Sequence, residues 1–208
     1  LLDEITFVND SINIVLHVFD AQLRAAVNDN SLEGFFTLNY NPAYKVPFKA
    51  SFGEDYRFQP TDTTATATDF SGKYEVVFVN ETDTTQSVAI INQKGNYATG
   101  SFLTTTGDYR YLEGGVFNDT LFMSTFDGNH AYLFKAVKKD SMLTGDYWAG
   151  QTYHQFWTGF KNENASLPDA ESFTYLKPGV KTLEFTFPDL EGKNVSLTDE
   201  RFKNKVVI

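Results

Sequence analysis

The most chemically suggestive stretch of the sequence is an aromatic cluster between residues 147 and 157. Four of its side chains combine flat rings or an imidazole with neighbouring polar groups: Trp148, Tyr153, His154 and Trp157. Rings beside polar groups can stack on a sugar or a peptide, so these four residues are the predicted partner surface. In a small β domain, however, such aromatics usually fill the interior. Alternation along residues 156–160 puts Phe156 and Phe160 on one face and Trp157 on the other, so only one set can be core.

The titratable residues suggest weaker sites. The three histidines, His17, His130 and His154, match no metal-binding spacing. His130 can pair with Asp127 as a ligand or an acid–base pair, but Asp127-Gly128 is more typical of a hairpin turn before a strand. Four carboxylates near two turns could perform glycosidic acid–base chemistry, although turn positions explain them better: Asp108, Glu113, Asp119 and Asp127. We therefore predict no catalytic residue, no metal ligand and no cofactor in this chain.

The composition excludes several classes of protein. The chain has no cysteine, which excludes disulfides, Cys-ligated zinc, thiol nucleophiles and a Cys-x-x-Cys redox pair within it. Its 208 residues carry a net charge of -10, which argues against nucleic acid or an anionic membrane as a partner, because phosphate binding needs clustered Lys and Arg. With 20 Phe and 11 Tyr, the chain can bury a sizeable core.

The ends of the chain lack targeting features. The sequence contains no apolar run of about 18 residues that could span a bilayer. It also shows no signal peptide, which would have a basic segment followed by an apolar one, before Leu1. The chain does not begin with Met. We expect it to be a processed or trimmed product from which any export signal or anchor has been removed.

The segments that must position the candidate site residues are mostly short runs in which apolar and polar residues alternate with period two. The runs are rich in β-branched and aromatic residues and are separated by Gly, Asn and Asp turns: 74–79, 87–91, 97–103, 121–126, 131–137 and 156–160. Several short strands at such regular spacing indicate an antiparallel sandwich or barrel.

An internal repeat decides the one ambiguous segment. Residues 7–12, 23–27 and 30–36 match residues 116–121, 133–137 and 141–147 in the same order, at an offset of roughly 110 residues. Asp20–Val27 has helical propensity, but its match to a strand favours β structure. The expected fold is mainly β, an antiparallel barrel or sandwich built from a duplicated meander. Its halves cover about residues 1–60 and 70–161.

The repeat also bears on the start of the chain. A strand pair near residues 72–105 precedes the second copy. The first copy would need its equivalent about 40 residues before Leu1. We therefore expect the natural protein to extend N-terminally, unless the first half is a shorter variant.

Charge and composition place a domain boundary near residue 180. Residues 181–208 carry five basic and five acidic side chains, so the whole net charge of -10 lies in residues 1–180. We predict a β domain at 1–161, a polar, proline-punctuated linker at 162–181 and a separate segment at 182–208. A low-complexity stretch at 61–69 is either a linker or a long surface loop.

Residues 183–208 resemble the opening of a thioredoxin-like domain of the thiol-disulfide oxidoreductase group (TlpA-like, AhpC/TSA superfamily). The motif is a strand ending in Phe187-Pro188-Asp189, a turn at 190–193, a strand at Val195–Leu197, a helical turn from Thr198, and the first central strand at Lys203–Ile208. The resemblance implies the start of an α/β domain. Its redox Cys-x-x-Cys would follow Ile208 at a helix N-terminus, which lowers the pKa of the first thiol.

Residues 1–180 resemble, less specifically, the N-terminal β domain of envelope oxidoreductases and lipoproteins of Gram-negative bacteria. The runs that carry this resemblance are 100–114, 126–131 and 162–169. Together the resemblances imply an accessory β domain, itself redox-inert, of an exported thiol-disulfide oxidoreductase in the periplasm or outer envelope. Its partner would be the parent's protein substrate or redox partner. Membrane contact would come only through an N-terminal lipid anchor outside this chain.

Two other functions remain open from the sequence. One is a lipocalin-like or carbohydrate-binding β module with no enzymatic activity, whose tail merely resembles a thioredoxin start. The other is a structural module for dimerisation or tethering.

Overall fold

The computed structural model describes residues 4–54, 57–58, 68–172 and 174–205. The chain divides into two compact units, residues 1–167 and 168–208, so the division falls within the predicted linker. Residues 61–67 of the low-complexity stretch lie outside the described residues. None of the helical segments in the described ranges has the length and apolar character needed to cross a membrane.

The first unit begins with an open, five-stranded antiparallel sheet. Its strands follow one another as a meander: β1 (Ile5–Val8), β2 (Ser11–Leu16), β3 (Ala21–Asn28), β4 (Ser31–Leu38) and β5 (Asn41–Ser51). Asp20–Val27 is therefore not helical but enters β3, as the repeat predicts. Ala21 and Ala25 are buried in this strand, and packing against the facing strands outweighs the helical propensity of the segment.

An eight-stranded closed barrel follows in the same unit, which confirms the predicted antiparallel β architecture. Its strands are β6 (Gly72–Val79), β7 (Thr84–Lys94), β8 (Tyr97–Thr104), β9 (Gly107–Phe117), β10 (Thr120–Phe126), β11 (Ala131–Lys139), β12 (Met142–Ala149) and β13 (Tyr153–Lys161). The barrel closes where β13 pairs antiparallel with β6. Closure removes the two free edges that an open sheet would present.

Aromatic side chains fill the barrel. Phe102 stacks on Phe134 with ring centroids 4.4 Å apart, and Trp157 meets Phe102 edge-on at 5.2 Å. Tyr74 on β6 and Tyr147 on β12 belong to the same core. Side chains rather than a cargo molecule therefore occupy the interior, as in other small barrels.

The turns use Asn and Asp where the backbone enters the left-handed region. Asn9 between β1 and β2 has φ of 53°, and Asn118 between β9 and β10 has φ of 49°. Asp29 and Asp140 take positive φ at the turns after β3 and β11. These short polar residues tolerate that conformation better than other non-glycine residues do, which explains why the same turn chemistry recurs in both halves.

The second unit contains a small hairpin. β14 (Thr186–Pro188) pairs antiparallel with β15 (Asn194–Ser196), and the Asp189 carboxylate accepts N–H hydrogen bonds from Glu191 and Lys193 in the turn between them. Single 3-10 turns lie at Ala170–Ser172 and Glu200–Phe202. The strand expected from Lys203 is not formed at residues 203–205, which continue the turn, and residues 206–208 lie outside the described residues.

Candidate functional site

The hairpin of β12 and β13 positions the predicted aromatic cluster. Trp148 lies directly opposite His154 in the strand register, and Asp146 lies opposite Phe156. Their neighbours Tyr147 and Trp157 point into the barrel. Because successive side chains alternate between the two faces of a strand, the first four residues share the outer face.

The side chains of this outer block hold one another in place. The rings of Trp148 and His154 stack with centroids 5.2 Å apart at an interplanar angle of 29°. The Nε2 atom of His154 lies 2.9 Å from Oδ1 of Asp146, and Phe156 meets the imidazole edge-on at 4.8 Å. The block thus presents aligned rings beside a carboxylate, an arrangement suited to stacking on a flat ligand or an aromatic peptide side chain.

Apolar side chains extend the block across the outer surface. Phe156 is 64% exposed and Phe160 is 54% exposed on β13, and Val137 on β11 and Val79 on β6 are each more than 40% exposed. We call Trp148, His154, Phe156, Phe160, Val79 and Val137 the outer patch. A groove of about 350 Å³ crosses it beside Lys135 and Asp146. An exposed apolar patch with charged side chains at its margin is typical of a protein interaction surface.

The structure separates the four residues that the sequence grouped. Trp148 and His154 lie together in the outer patch. Trp157 is buried at 1% exposure, and its Nε1 donates to the carbonyl oxygen of Asp146 at 3.2 Å, so it belongs to the core and not to a partner surface. Tyr153 lies at the mouth of the barrel against Tyr147, with ring centroids 6.0 Å apart. The Phe156 and Phe160 pair is thus the set left on the surface.

A tyrosine cluster surrounds Asp127 at that mouth. Tyr109 packs against Tyr132 and Tyr147 at centroid distances of 5.1 and 5.3 Å. The Tyr132 hydroxyl donates to Oδ2 of Asp127 at 2.8 Å. Burial, followed by this bond to Asp127, raises the pKa of Tyr132, so the phenol stays protonated.

Asp127 organises a turn in this cluster. Its Oδ1 accepts the backbone N–H groups of Asn129 and His130, each at 2.7 Å. Burial raises the pKa of Asp127, but the N–H groups of His130 and Asn129 with the Tyr132 hydroxyl outweigh it and hold that pKa below its ordinary value. His130 immediately precedes β11, and its Nδ1 lies 3.7 Å from Asp127. The carboxylate is thus occupied by turn donors, which accounts for it without acid–base chemistry.

The other carboxylates of the sequence cluster have separate partners. Asp108 pairs with Arg110 at 2.8 Å, Glu113 lies 3.8 Å from Arg57, and Asp119 accepts from the hydroxyl of Thr68. These partners account for the three carboxylates without glycosidic acid–base chemistry. Within the described ranges, no three His, Asp or Glu side chains converge as a metal site.

Sequence reasoning did not find Asp146, Val79 or Val137 as parts of the patch. Val79 lies 77 residues before Phe156 in the chain and faces it only because the barrel closes through β13 and β6. One signal in the sequence could have identified Asp146 as part of this surface. It lies two residues before Trp148 in an alternating run, so the two side chains share a face of the strand.

Comparison with protein-family models, with curated proteins and with solved structures finds no match to this chain. The function is therefore inferred from the site itself and from the residues that carry it.

Proposed function

We propose that residues 1–167 are a partner-binding accessory β module of an exported thioredoxin-like thiol-disulfide oxidoreductase, and that the outer patch is the surface that contacts a protein substrate or redox partner. The parent would act in the periplasm or outer envelope of a Gram-negative bacterium. In such a protein the β module positions the substrate, and a Cys-x-x-Cys pair exchanges disulfides through a mixed disulfide.

The observation that carries the binding role is the exposure of large apolar side chains on the outer patch. Phe156 and Phe160 lie on the same strand as the buried Trp157, so the sequence devotes both faces of β13 to aromatic side chains. A barrel with a filled interior can bind a partner only through its surface or its ends. Aromatic anchors surrounded by charged groups are the residues that dominate binding energy at protein interfaces.

The oxidoreductase assignment is supported by the tail of the chain. Residues 183–208 resemble the start of a thioredoxin-like domain. The β14–β15 hairpin is compatible with the strand, turn and strand that this resemblance implies. The coding sequence after Ile208 tests this part directly. A Cys-x-x-Cys within about 20 residues is expected, and its absence would remove the redox assignment.

The surface role is tested in the complete oxidoreductase with Phe156→Ser and Phe160→Ser. We expect each variant to raise the KM for a disulfide-bonded protein substrate about tenfold, because loss of one aromatic anchor costs roughly 1.4 kcal/mol of binding. Reaction with a small aromatic disulfide, which needs no docking surface, should stay unchanged.

Phe35→Ser is the matched control, because Phe35 is an exposed phenylalanine on β4, outside the barrel. It should leave the KM for the protein substrate unchanged. Equal effects of Phe35→Ser and Phe156→Ser would show that the outer patch has no special role.

A second candidate function is carbohydrate binding through the Trp148 ring. The stacked Trp148 and His154 beside the Asp146 carboxylate offer a flat apolar surface and a hydrogen-bond acceptor to a sugar. The chain has two tryptophans, and Trp157 is buried, so a surface ligand should change the fluorescence of Trp148. Titration with a glycan panel should then change the emission of the natural chain but not of Trp148→Phe. The absence of any change would remove this candidate.

A further inference from the structure

The five-stranded sheet β1–β5 reproduces five strands of the barrel. β1–β5 and β9–β13 are both antiparallel meanders of consecutive strands. Gly34 faces Ala25 across β3 and β4, and Gly145 faces Ala136 across β11 and β12. A Cβ on Gly34 would overlap the carbonyl oxygen of Arg24, and one on Gly145 would overlap that of Lys135. This shared close approach aligns the two meanders residue by residue.

The alignment matches apolar residues to the barrel core. One row across the open sheet corresponds to one row across the barrel interior: Phe7, Ile12, Ala25, Gly34 and Phe48 with Val116, Leu121, Ala136, Gly145 and Trp157. The next row does the same: Ile5, Ile14, Leu23, Phe36 and Val46 with Gly114, Met123, Phe134, Tyr147 and Gln155. Every residue of the two rows of the open sheet is apolar, as the interior of a barrel requires.

The opposite face of the open sheet is mainly polar, although Val15 and Phe35 also lie on it. Asn13, Arg24 and Glu33 lie on it, and Nε of Arg24 donates to Oδ1 of Asn13 at 3.3 Å. The alternation therefore distinguishes a solvent face from a face built for burial.

That apolar face is only partly covered. Phe36 is 5% exposed, because Phe126 of the barrel packs edge-on against it at 5.5 Å. At the other end Phe7 is 68% exposed, whereas its barrel counterpart Val116 is 1% exposed. This difference in exposure arises because β6–β8 flank the corresponding strands in the barrel. There Phe78 of β6 lies opposite Trp157, and Ala98 of β8 lies opposite Gly114. Among the described residues, β1 and β5 each pair with one neighbour only.

We infer that the β1–β5 sheet is the acceptor for a three-stranded antiparallel meander of the β6–β8 type, which completes a second eight-stranded barrel. The added strands pair with the free edges of β5 and β1. Three is the number by which the eight-stranded barrel exceeds the five-stranded sheet. The inference does not depend on the proposed function.

The edges favour this occupant over a second copy of the chain. β1 has four residues and β5 has eleven, so these two edges match poorly in a head-to-tail pair of copies. β5 also carries Pro42, Pro47, Lys45 and Lys49, which discourage pairing with another β5. In the barrel, Phe156–Lys161 pairs with β6, and the corresponding residues of the open sheet are 47–51 of β5 and Phe52, which follows it. Pro47 therefore falls at the end of the expected ladder, and Pro42 lies outside it.

A grafted chain tests the inference. In the graft, residues 1–4 are replaced by a copy of residues 68–113, which is joined directly to Ile5. Ile5 then takes the position that Gly114 has in the barrel. Phe52 already donates its N–H to the carbonyl oxygen of Asn30, so the amides of Lys49 and Ser51 are the ones that face the free edge. We expect these two amides to exchange hydrogen at least about tenfold more slowly than in the natural chain, in a monomer. The control graft carries Val77→Pro in the added copy, because the N–H of Val77 faces the strand that β6 pairs with at the barrel seam, and it should show no slowing.

A second measurement tests the inference if the grafted chain does not fold. A separate polypeptide of residues 68–106 is added to the natural chain. Binding at one to one, with the same slowing at Lys49 and Ser51, supports the inference. No slowing in either format overturns it. A dimer of the natural chain whose β1 and β5 edge amides are already protected also overturns it, because a second copy would then cover the sheet.

Discussion

At the scale of single residues, neighbours along β13 have opposite environments. Trp157 contacts Phe78 and Phe102 inside the barrel, while Phe156 is 64% exposed on the outer face. Both are large aromatic residues in one run, so the local sequence does not distinguish their roles. Their contributions to folding and to binding should therefore differ sharply.

Trp157→Ala is expected to lower the free energy of unfolding by about 3–5 kcal/mol, because it leaves a cavity among the rings that pack around the indole. Urea unfolding measures this change. Phe156→Ala is the matched control and should cost less than about 1 kcal/mol. Comparable losses in the two variants would contradict the assignment of faces.

The pH dependence of stability should carry a contribution from Asp127. Its pKa in the folded protein lies below the ordinary value of 3.8, so its stabilising contribution is complete above about that pH and is lost as the pH falls through the folded pKa. Asp127→Asn should therefore be less stable than the natural chain at neutral pH. The difference should narrow below about pH 4. Urea unfolding at several pH values checks this, and a constant difference would contradict it.

At the scale of elements, close approach of strands constrains the meander. Gly145 on β12 has no side chain because Lys135 of β11 and the Trp157 indole of β13 leave no room for a Cβ. At Gly159 of β13, by contrast, an added Cβ would lie nearest to a side-chain carbon of Val76, at 3.3 Å. A backbone carbonyl cannot move aside as easily as the end of a side chain can.

Gly145→Ala should thus destabilise the barrel by about 1–3 kcal/mol, through displacement of β11 and of Trp157. Gly159→Ala should cost clearly less. Thermal and urea unfolding of both variants provide the test. A Gly145→Ala barrel as stable as Gly159→Ala would contradict the close packing of these strands.

At the scale of the first unit, an aromatic contact links the open sheet to the barrel. Phe126 at the end of β10 packs on Phe36 of β4, and Tyr44 of β5 packs on the same ring at 6.3 Å. This contact covers one end of the apolar face of the sheet. The sheet therefore depends on the barrel for part of its burial, whereas the barrel closes on itself.

Phe126→Ala should accelerate amide hydrogen exchange in β3 and β4, with a loss of about 1 kcal/mol of local stability. Exchange in β6 and β7, which lie across the closed barrel from β10, should stay unchanged. Phe160→Ala removes an exposed phenylalanine elsewhere on the barrel and should affect neither region. Uniform acceleration across the first unit would contradict a local role for Phe126.

The sequence alone determined the antiparallel β class, the turn positions and the duplicated meander. These features follow from local or periodic signals: alternation, Asn and Asp turns, and the repeat. For this reason the sequence correctly predicted β structure for Asp20–Val27. The tertiary structure decided which face of β13 is core, because alternation separates two faces without saying which is buried. It also decided that Val79 joins Phe156 and that one meander closes while the other stays open. Pairing between distant strands is set by closure and packing of the whole sheet, which no short stretch of sequence encodes.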